Sequence, residues 1–304
     1  MSNYQKVHDR VFLIDTLYLF NGVVASYYII GEKFAIIDTG YAATYNNVVR
    51  AIAEINKGDK KLDYIIPTHI HMDHGGAIGH LAKQFNNAVV YAHERAVKHI
   101  INPSKLIQSV KSIFPEDKIK SMGLPIPVRE DRVLSVKGEE EILDLGNGVE
   151  LRFIYTPGHA PHHISLYLTD EKIVFTGDAV AVKYPNFPVY IPTTPAPRFD
   201  PDLALKSIKK IKDLEPKKLF VPHFGPIDNV EEYLEKSEEK IREWLEIVKG
   251  YVKEDLGLFD IIDKMIEHVA LEAGVAKEKV PFNVKGSIYI SVFGLLDYYS
   301  KMIK

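Results

Sequence analysis

Short apolar runs fill the first two-thirds of the chain, and most of them stop at glycine, proline or aspartate. Val23–Ile30 and Phe34–Asp38 read as strands joined by a turn at Gly31-Glu32. After Gly40, Val48, Ala51, Ile52 and Ile55 recur at helical spacing. Tyr64-Ile65-Ile66 is a short apolar strand that ends at Pro67. Ile78–Phe85 reads as a helix and Ala88–Tyr91 as another strand. The rhythm then returns: strands at Ile142-Leu143, Val149–Tyr155, Ile164–Leu168 and Lys172–Thr176, a helix at Leu203–Leu214, and a strand at Lys218–Val221.

Three stretches break this rhythm. Residues His93–Val128 predict an inserted helical hairpin. Pro185, Pro188, Pro192, Pro195, Pro197 and Pro201 make the chain after Tyr184 an extended, stiff loop. Beyond Pro226 the chain turns helical. Val230, Tyr233, Leu234, Ser237, Ile241, Trp244, Leu245 and Val248 form one stripe; Ile288, Val292, Leu295, Leu296, Tyr299 and Ile303 form another. The two strand-rich halves predict an α/β protein with two sheets packed face to face and helices outside, although strand–helix alternation fits several α/β folds. Residues 1–225 are expected to form the core domain and 226–304 a C-terminal helical extension. Two long apolar stripes on that extension predict that it covers a flank of the core or a subunit interface, and a homodimer is expected.

Composition narrows the chemistry. With 304 residues, 46% of them hydrophobic, the chain can bury a large core without disulfides. It has no cysteine, so thiol nucleophiles, iron–sulfur clusters and zinc–thiolate sites are excluded, and any metal must be held by nitrogen and oxygen. A net charge of −3 gives no global basic field for nucleic acid. Met1–Asp9 is polar, without an export core, and no apolar run is long enough for a membrane span. A cytoplasmic, membrane-free protein is expected. Glutamine is confined to Gln5, Gln84 and Gln108, and lysine far outnumbers arginine; a thermophilic source is the expectation.

The densest signal is Thr68-His69-Ile70-His71-Met72-Asp73-His74-Gly75-Gly76. It follows a strand and opens a helix. Residues two apart in extended chain point the same way, so His69 and His71 can face one ion together. Asp73 and His74 sit where the chain turns and can aim at a neighbouring point, and the glycines let the backbone turn closely. Three more ligand-type residues lie just after strands, beside glycine or proline: His159 in Thr-Pro-Gly-His, Asp178 in Thr-Gly-Asp, and His223 in Pro-His-Phe-Gly. Strand ends on one edge of an α/β assembly are where sites gather.

These motifs, in this order and with Ile36-Ile37-Asp38-Thr39-Gly40 ahead of them, resemble the metallo-β-lactamase superfamily, most closely its glyoxalase II-like and lactonase-like branch. The resemblance runs from about Val23 to Gly225. It implies an αββα sandwich. It implies that His69, His71 and His159 bind one metal, that Asp73, His74 and His223 bind a second, and that Asp178 bridges the two. It implies that Asp38 stands behind the metals and holds the ligand loops. His80, His93, His99, His162 and His163 match no motif, and of these His162 and His163 lie close enough in sequence to His159 to line a pocket.

Five imidazoles and two carboxylates suit two zinc ions, with iron or manganese as alternatives. Such a pair holds a bridging hydroxide as nucleophile, with Asp73 and Asp178 as the catalytic carboxylates. The expected reaction is hydrolysis of a small ester, thioester or lactone. Tyr184, Phe187, Tyr190 and Arg198 on the proline-rich loop are further pocket candidates beside His162. The competing readings are an iron-dependent oxidoreductase of the same fold, like a persulfide dioxygenase, and a phosphodiesterase. A non-catalytic binding module would be at odds with the intact ligand set. The partner is a small molecule, with no nucleic acid or membrane.

Overall fold

The computed structural model describes residues 2–302, apart from the side chain of Glu140. In chain order the strands are β1 (Tyr4–His8), β2 (Val11–Asp15), β3 (Ala25–Ile30), β4 (Phe34–Ile37), β5 (Tyr64–Ile66), β6 (Val89–His93), β7 (Val133–Val136), β8 (Glu139–Asp144), β9 (Glu150–Tyr155), β10 (Ile164–Leu168), β11 (Ile173–Phe175), β12 (Lys218–Val221) and β13 (Gly225–Ile227). The helices are α1 (Tyr45–Ile55), α2 (Met72–Gly75), α3 (Ile78–Gln84), α4 (Glu94–Ile101), α5 (Ser104–Ile113), α6 (Glu116–Met122), α7 (Pro201–Asp213), α8 (Val230–Lys253), α9 (Leu258–Glu272) and α10 (Phe282–Met302).

The strands form a seven-stranded sheet in the order β1 to β7 and a six-stranded sheet in the order β13-β12-β11-β10-β9-β8. Both are mixed: β4 to β7 run parallel, as do β11 and β12, while the other neighbours are antiparallel. Alternation along each strand divides the apolar residues between layers. Leu13, Tyr27, Ile29 and Ile37 of the first sheet meet Leu151, Phe153, Leu166 and Phe175 of the second in a central core. Ile14, Tyr28, Ile36 and Ile65 face the other way, against α1 and α3. Tyr167, Val174, Leu219 and Val221 face outward from the second sheet, in one core with residues of α7 to α10. This is the expected αββα sandwich with C-terminal helices.

Four strands go beyond the sequence expectation. β1, β7 and β13 are sheet edges; β1 and β7 have exposed positions that break the apolar alternation, and β2 is defined as a strand by its pairing with β1 and β3. The expected helical hairpin at 93–128 is corrected to three helices, α4 to α6, after a strand that runs on to His93. Pro103 and Pro115 supply the breaks: each stands immediately before a helix, where a missing N–H costs nothing.

The two C-terminal stripes fall on α8 and α10, with α9 between them; Ile303 lies outside the described residues. Trp244, Val248, Ile288, Val292 and Leu295 are all buried within the chain. Tyr299 donates its hydroxyl hydrogen to the Leu245 carbonyl at 2.7 Å, tying α10 to α8. Leu245, Leu296 and Tyr299 are half-buried against the same core. No helix among the described residues is long and apolar enough to cross a membrane.

Candidate metal centre

The predicted ligand positions converge from both sheets. His69 follows β5, and His71, Asp73 and His74 surround the single turn of α2. His159 follows β9, Asp178 sits in the tight turn after β11, and His223 follows β12. All lie at C-terminal strand ends on one edge of the sandwich, because β4, β5 and the trio β9, β11, β12 each run in a common direction within their sheet.

The donor atoms fall into two groups. His69 Nε2, His71 Nδ1 and His159 Nε2 lie 2.9, 2.9 and 3.2 Å from one another. Asp73, His74 and His223 form the second group. His74 Nε2 is 3.5 Å from Asp73 Oδ2, and His223 Nε2 is 3.6 Å from the same oxygen. Asp178 reaches both groups. Its Oδ2 is 3.4 Å from His159 Nε2 and 3.5 Å from His74 Nε2, and its Oδ1 is 3.5 Å from His223 Nε2. Ligands of a tetrahedral ion with bonds of about 2.0–2.2 Å stand about 3.3–3.6 Å apart, beyond ordinary hydrogen-bond length. The carboxylate–imidazole separations have this size.

Two atoms test whether metals fit. His74 Nε2 and Asp178 Oδ1 are buried and have no hydrogen-bond partner. Buried polar atoms are normally satisfied, and a cation between them would satisfy both. The surroundings also fix the imidazole tautomers. His69 Nδ1 donates to Thr68 Oγ1 (3.1 Å), His74 Nδ1 to Asp38 Oδ2 (2.9 Å), His159 Nδ1 to the Thr193 carbonyl (3.1 Å) and His223 Nδ1 to the Val23 carbonyl (2.8 Å). Each leaves a lone pair on Nε2 directed into the site. Seven residues could thus hold two divalent ions.

Asp38 sits where a backing role requires. Its Oδ1 accepts from the Thr68 amide (2.7 Å) and hydroxyl (2.9 Å), and its Oδ2 accepts from His74. The neighbouring Thr39 hydroxyl donates to the His74 carbonyl at 2.8 Å, and its amide to the same oxygen at 2.7 Å. The Asp38-Thr39 pair therefore clamps both ends of the His69–His74 block.

His163 proves to be a second brace. The Asp178 amide donates to His163 Nε2 at 2.9 Å, and His163 Nδ1 donates to Thr156 Oγ1, also at 2.9 Å. Thr156 continues through Ser165 to the Thr176 carbonyl. Gly177 makes this approach feasible: its φ is +52°, and a Cβ there would stand 2.5 Å from His163 Nε2. Gly76 plays a different part from the one its sequence suggests. Its φ is helical, and what it supplies is space, since a Cβ would stand 2.2 Å from the Met72 carbonyl oxygen.

Electrostatics divide the two groups. Burial and neighbouring imidazoles hold His69 and His71 well below the ordinary histidine range, so both are neutral donors. At His74 burial works in the same direction, but Asp178, Asp73 and Asp38 overcome it and push the imidazole up. Burial raises Asp73 and Asp178, and the facing imidazoles, His74 first, outweigh it and lower both carboxyls. The second group is therefore one that calls for positive charge.

The site opens on a cleft of about 840 Å³. Asp73, Asp178 and His223 line it, as do His162, Tyr184 and Arg198. Phe187 and Tyr190 do not. Both are buried in the helical core, where Tyr190 packs edge-on against Tyr233 at 5.0 Å, so their assignment to the pocket is corrected. An irregular loop has no fixed period, and nothing in its sequence tells which aromatic turns inward.

The sequence pattern of the metallo-beta-lactamase superfamily matches residues 19–223. The chain belongs to this superfamily. It is 34% identical over 231 residues to the "metallo-beta-lactamase fold-containing protein ST1585" of Sulfurisphaera tokodaii, covering 73% of this chain and 82% of that protein. It is 28% identical over 183 residues to an N-acyl homoserine lactonase of Bacillus thuringiensis, covering 59% of this chain and 62% of the lactonase. The metallo-beta-lactamase family protein TTHA1429 of Thermus thermophilus superposes over 98% of this chain and 95% of its own length, with a TM-score of 0.67 at 21% identity. That likeness extends the shared fold through the C-terminal helices.

Proposed function

We propose that this protein is a metal-dependent hydrolase that opens an ester, thioester or lactone, with two zinc ions as its cofactor. The observation that carries the reading is the pair of donor groups sharing Asp178 at the floor of a large cleft. His69, His71 and His159 would hold one ion, Asp73, His74 and His223 the other, with Asp178 common to both. When bound, such ions make water acidic enough to attack near neutral pH and polarise the scissile carbonyl.

The chain's own groups supply the rest. The Asp73 carboxylate is the most open of the donor carboxylates, and its lowered acidity range keeps it ionised, so it can accept a hydrogen from the attacking water and orient it. Tyr184 lies 6.4 Å from His223, ring to ring, and shares a 3.0 Å hydrogen bond with Ser287 Oγ. Burial pushes its hydroxyl up to about 12, so it stays protonated and can donate to a carbonyl oxygen. The lactonase relative supports a carbonyl substrate.

The test is a panel of esters, thioesters and lactones offered to protein loaded with zinc, manganese or iron. Turnover that needs metal, with close to two equivalents bound, is the expected result. Asp178→Ala should lower metal content and turnover more than loss of any single histidine, because only Asp178 touches both groups. A protein that takes up no metal, or an Asp178→Ala variant with two metals and normal turnover, would overturn the reading.

A further inference from the structure

The cleft wall is charged in one sense. Apart from Asp73 and Asp178 of the donor groups, its charged residues are Arg95, Lys98, Lys105, Lys118 and Arg198, and no acidic residue joins them. This is a departure from the chain as a whole, which holds 41 acidic and 38 basic residues. The acidic residues of the same helices, Glu94, Glu116 and Asp117, lie off the wall. None of the five cations takes part in an ion pair among the described residues, whereas Lys120 of the same helix as Lys118 pairs with Glu116 at 2.9 Å. Two of the five are held in place. Arg95 donates to the Tyr155 hydroxyl (3.1 Å) and to the Pro161 carbonyl (3.3 Å), beside the His159 loop. Lys118 stands 5.1 Å from the centre of the Tyr18 ring. Arg95 and Lys98 are three apart on α4 and so share a face.

A second observation concerns the same cleft. Phe20, Phe282 and Ile290 are 53%, 66% and 41% exposed, and all three lie on its wall. Phe20 and Phe282 meet edge to face at 6.4 Å. Leu106, Phe114 and Phe293 also line the cleft. Apolar side chains gathered at a cleft mark a surface that a ligand covers. A volume of about 840 Å³ exceeds what a small uncharged ester requires.

We propose that the substrate is an anionic amphiphile: a carbonyl compound with an apolar arm that lies along α10 and α5 and a phosphate, carboxylate or sulfonate end met by Arg95, Lys98, Lys105, Lys118 and Arg198. This rests on the reading of the cleft as the substrate site of a hydrolase. Unpaired cations around a low-dielectric wall focus a positive potential, which raises the local concentration of an anion and fixes which end of it faces outward. The donor groups at the floor then meet the carbonyl rather than the charged end.

Two probe pairs test the proposal. The first reads binding alone: 8-anilinonaphthalene-1-sulfonate and its uncharged counterpart N-phenyl-1-naphthylamine, titrated against the metal-loaded wild type and the triple variant Lys98→Gln/Lys105→Gln/Arg198→Gln. None of the three residues belongs to the donor groups, and all are exposed. The variant should bind the sulfonate about tenfold more weakly, with the neutral dye unaffected. Added salt should weaken wild-type binding of the sulfonate and leave the neutral dye alone. The second pair reads catalysis: hexanoyl thioesters of 2-mercaptoethanesulfonate and of N-acetylcysteamine. The variant should raise KM for the anionic thioester about tenfold more than it changes KM for the neutral one. Sulfonate binding and anionic-thioester KM that ignore both salt and the substitutions overturn the proposal, while turnover of both thioesters would leave the hydrolase reading standing. Conversely, charge-dependent dye binding with no turnover of either thioester supports the anion-binding cleft and removes these thioesters, not the ester and lactone arms, from the hydrolase reading.

Discussion

Asp38→Asn isolates the backing of the metal centre from its ligands. The substitution keeps size and shape, and asparagine tolerates the left-handed φ of +57° found at this position. The amide oxygen can replace Oδ1 and still accept from Thr68. The amide nitrogen then occupies the place of Oδ2, 2.9 Å from His74 Nδ1, and two donors face each other. His74 escapes by moving its proton to Nε2, which removes the lone pair aimed at Asp73 and Asp178. Losing a partner behind a metal-binding histidine costs about 10–100-fold in affinity, or about 1.4–2.7 kcal/mol. The loss should fall on the second group, since His69 keeps its Thr68 partner and His71 and His159 do not touch Asp38. Zinc titration against a chromophoric chelator resolves the two affinities. The expected result is one affinity weakened about 10–100-fold and the other nearly unchanged. Two native affinities, or equal loss of both, would refute the tautomer argument and leave Asp38 as a general support of the loop.

Three further outcomes are expected. Gly177→Ala places a Cβ 2.5 Å from His163 Nε2 and 2.8 Å from Thr68 at a φ of +52°; it should cost about 2–4 kcal/mol in denaturant unfolding and reduce metal content as Asp178 shifts. Trp244→Ala empties a fully buried site between α8 and the rest of the helical core and should cost about 3–5 kcal/mol by the same measurement, with metal content retained. His162 is held down at about 3 by burial and by the nearby His159. Its folded value lies below the unfolded one, so the unfolded chain takes the proton first, and metal-free protein should lose stability as pH falls from about 6.5 towards 3. His162→Gln should flatten that slope. The same shift keeps His162 neutral at working pH, so His162→Ala should preserve a rate that rises through neutral pH; loss of that rise with two metals still bound would indicate a protein base.

Most strands and helices, and the seven ligand-type side chains, are readable along the chain, for a local reason. Strand and helix periods repeat within a few residues, and glycine or proline marks where each run stops. His69, His71, Asp73 and His74 lie within one such boundary, and His159, Asp178 and His223 each follow a strand, so their residue types and positions are readable in one dimension. The edge strands β1, β7 and β13 were less legible, because their character comes from neighbours distant in the chain. How the site is braced follows from segments brought together across the chain. The oxygens that orient His159 and His223 are main-chain carbonyls of Thr193 and Val23, and a carbonyl has no letter of its own. The role of His163 also depends on the approach of the Asp178 amide across the Gly177 turn. The cleft is decided at the same level. Tyr184 lines it while Tyr190 packs in the helical core, and cations from α4, α5, α6 and the proline-rich loop line it while their acidic neighbours do not. Charge and side-chain direction at a surface depend on how helices pack, which short-range sequence patterns do not encode.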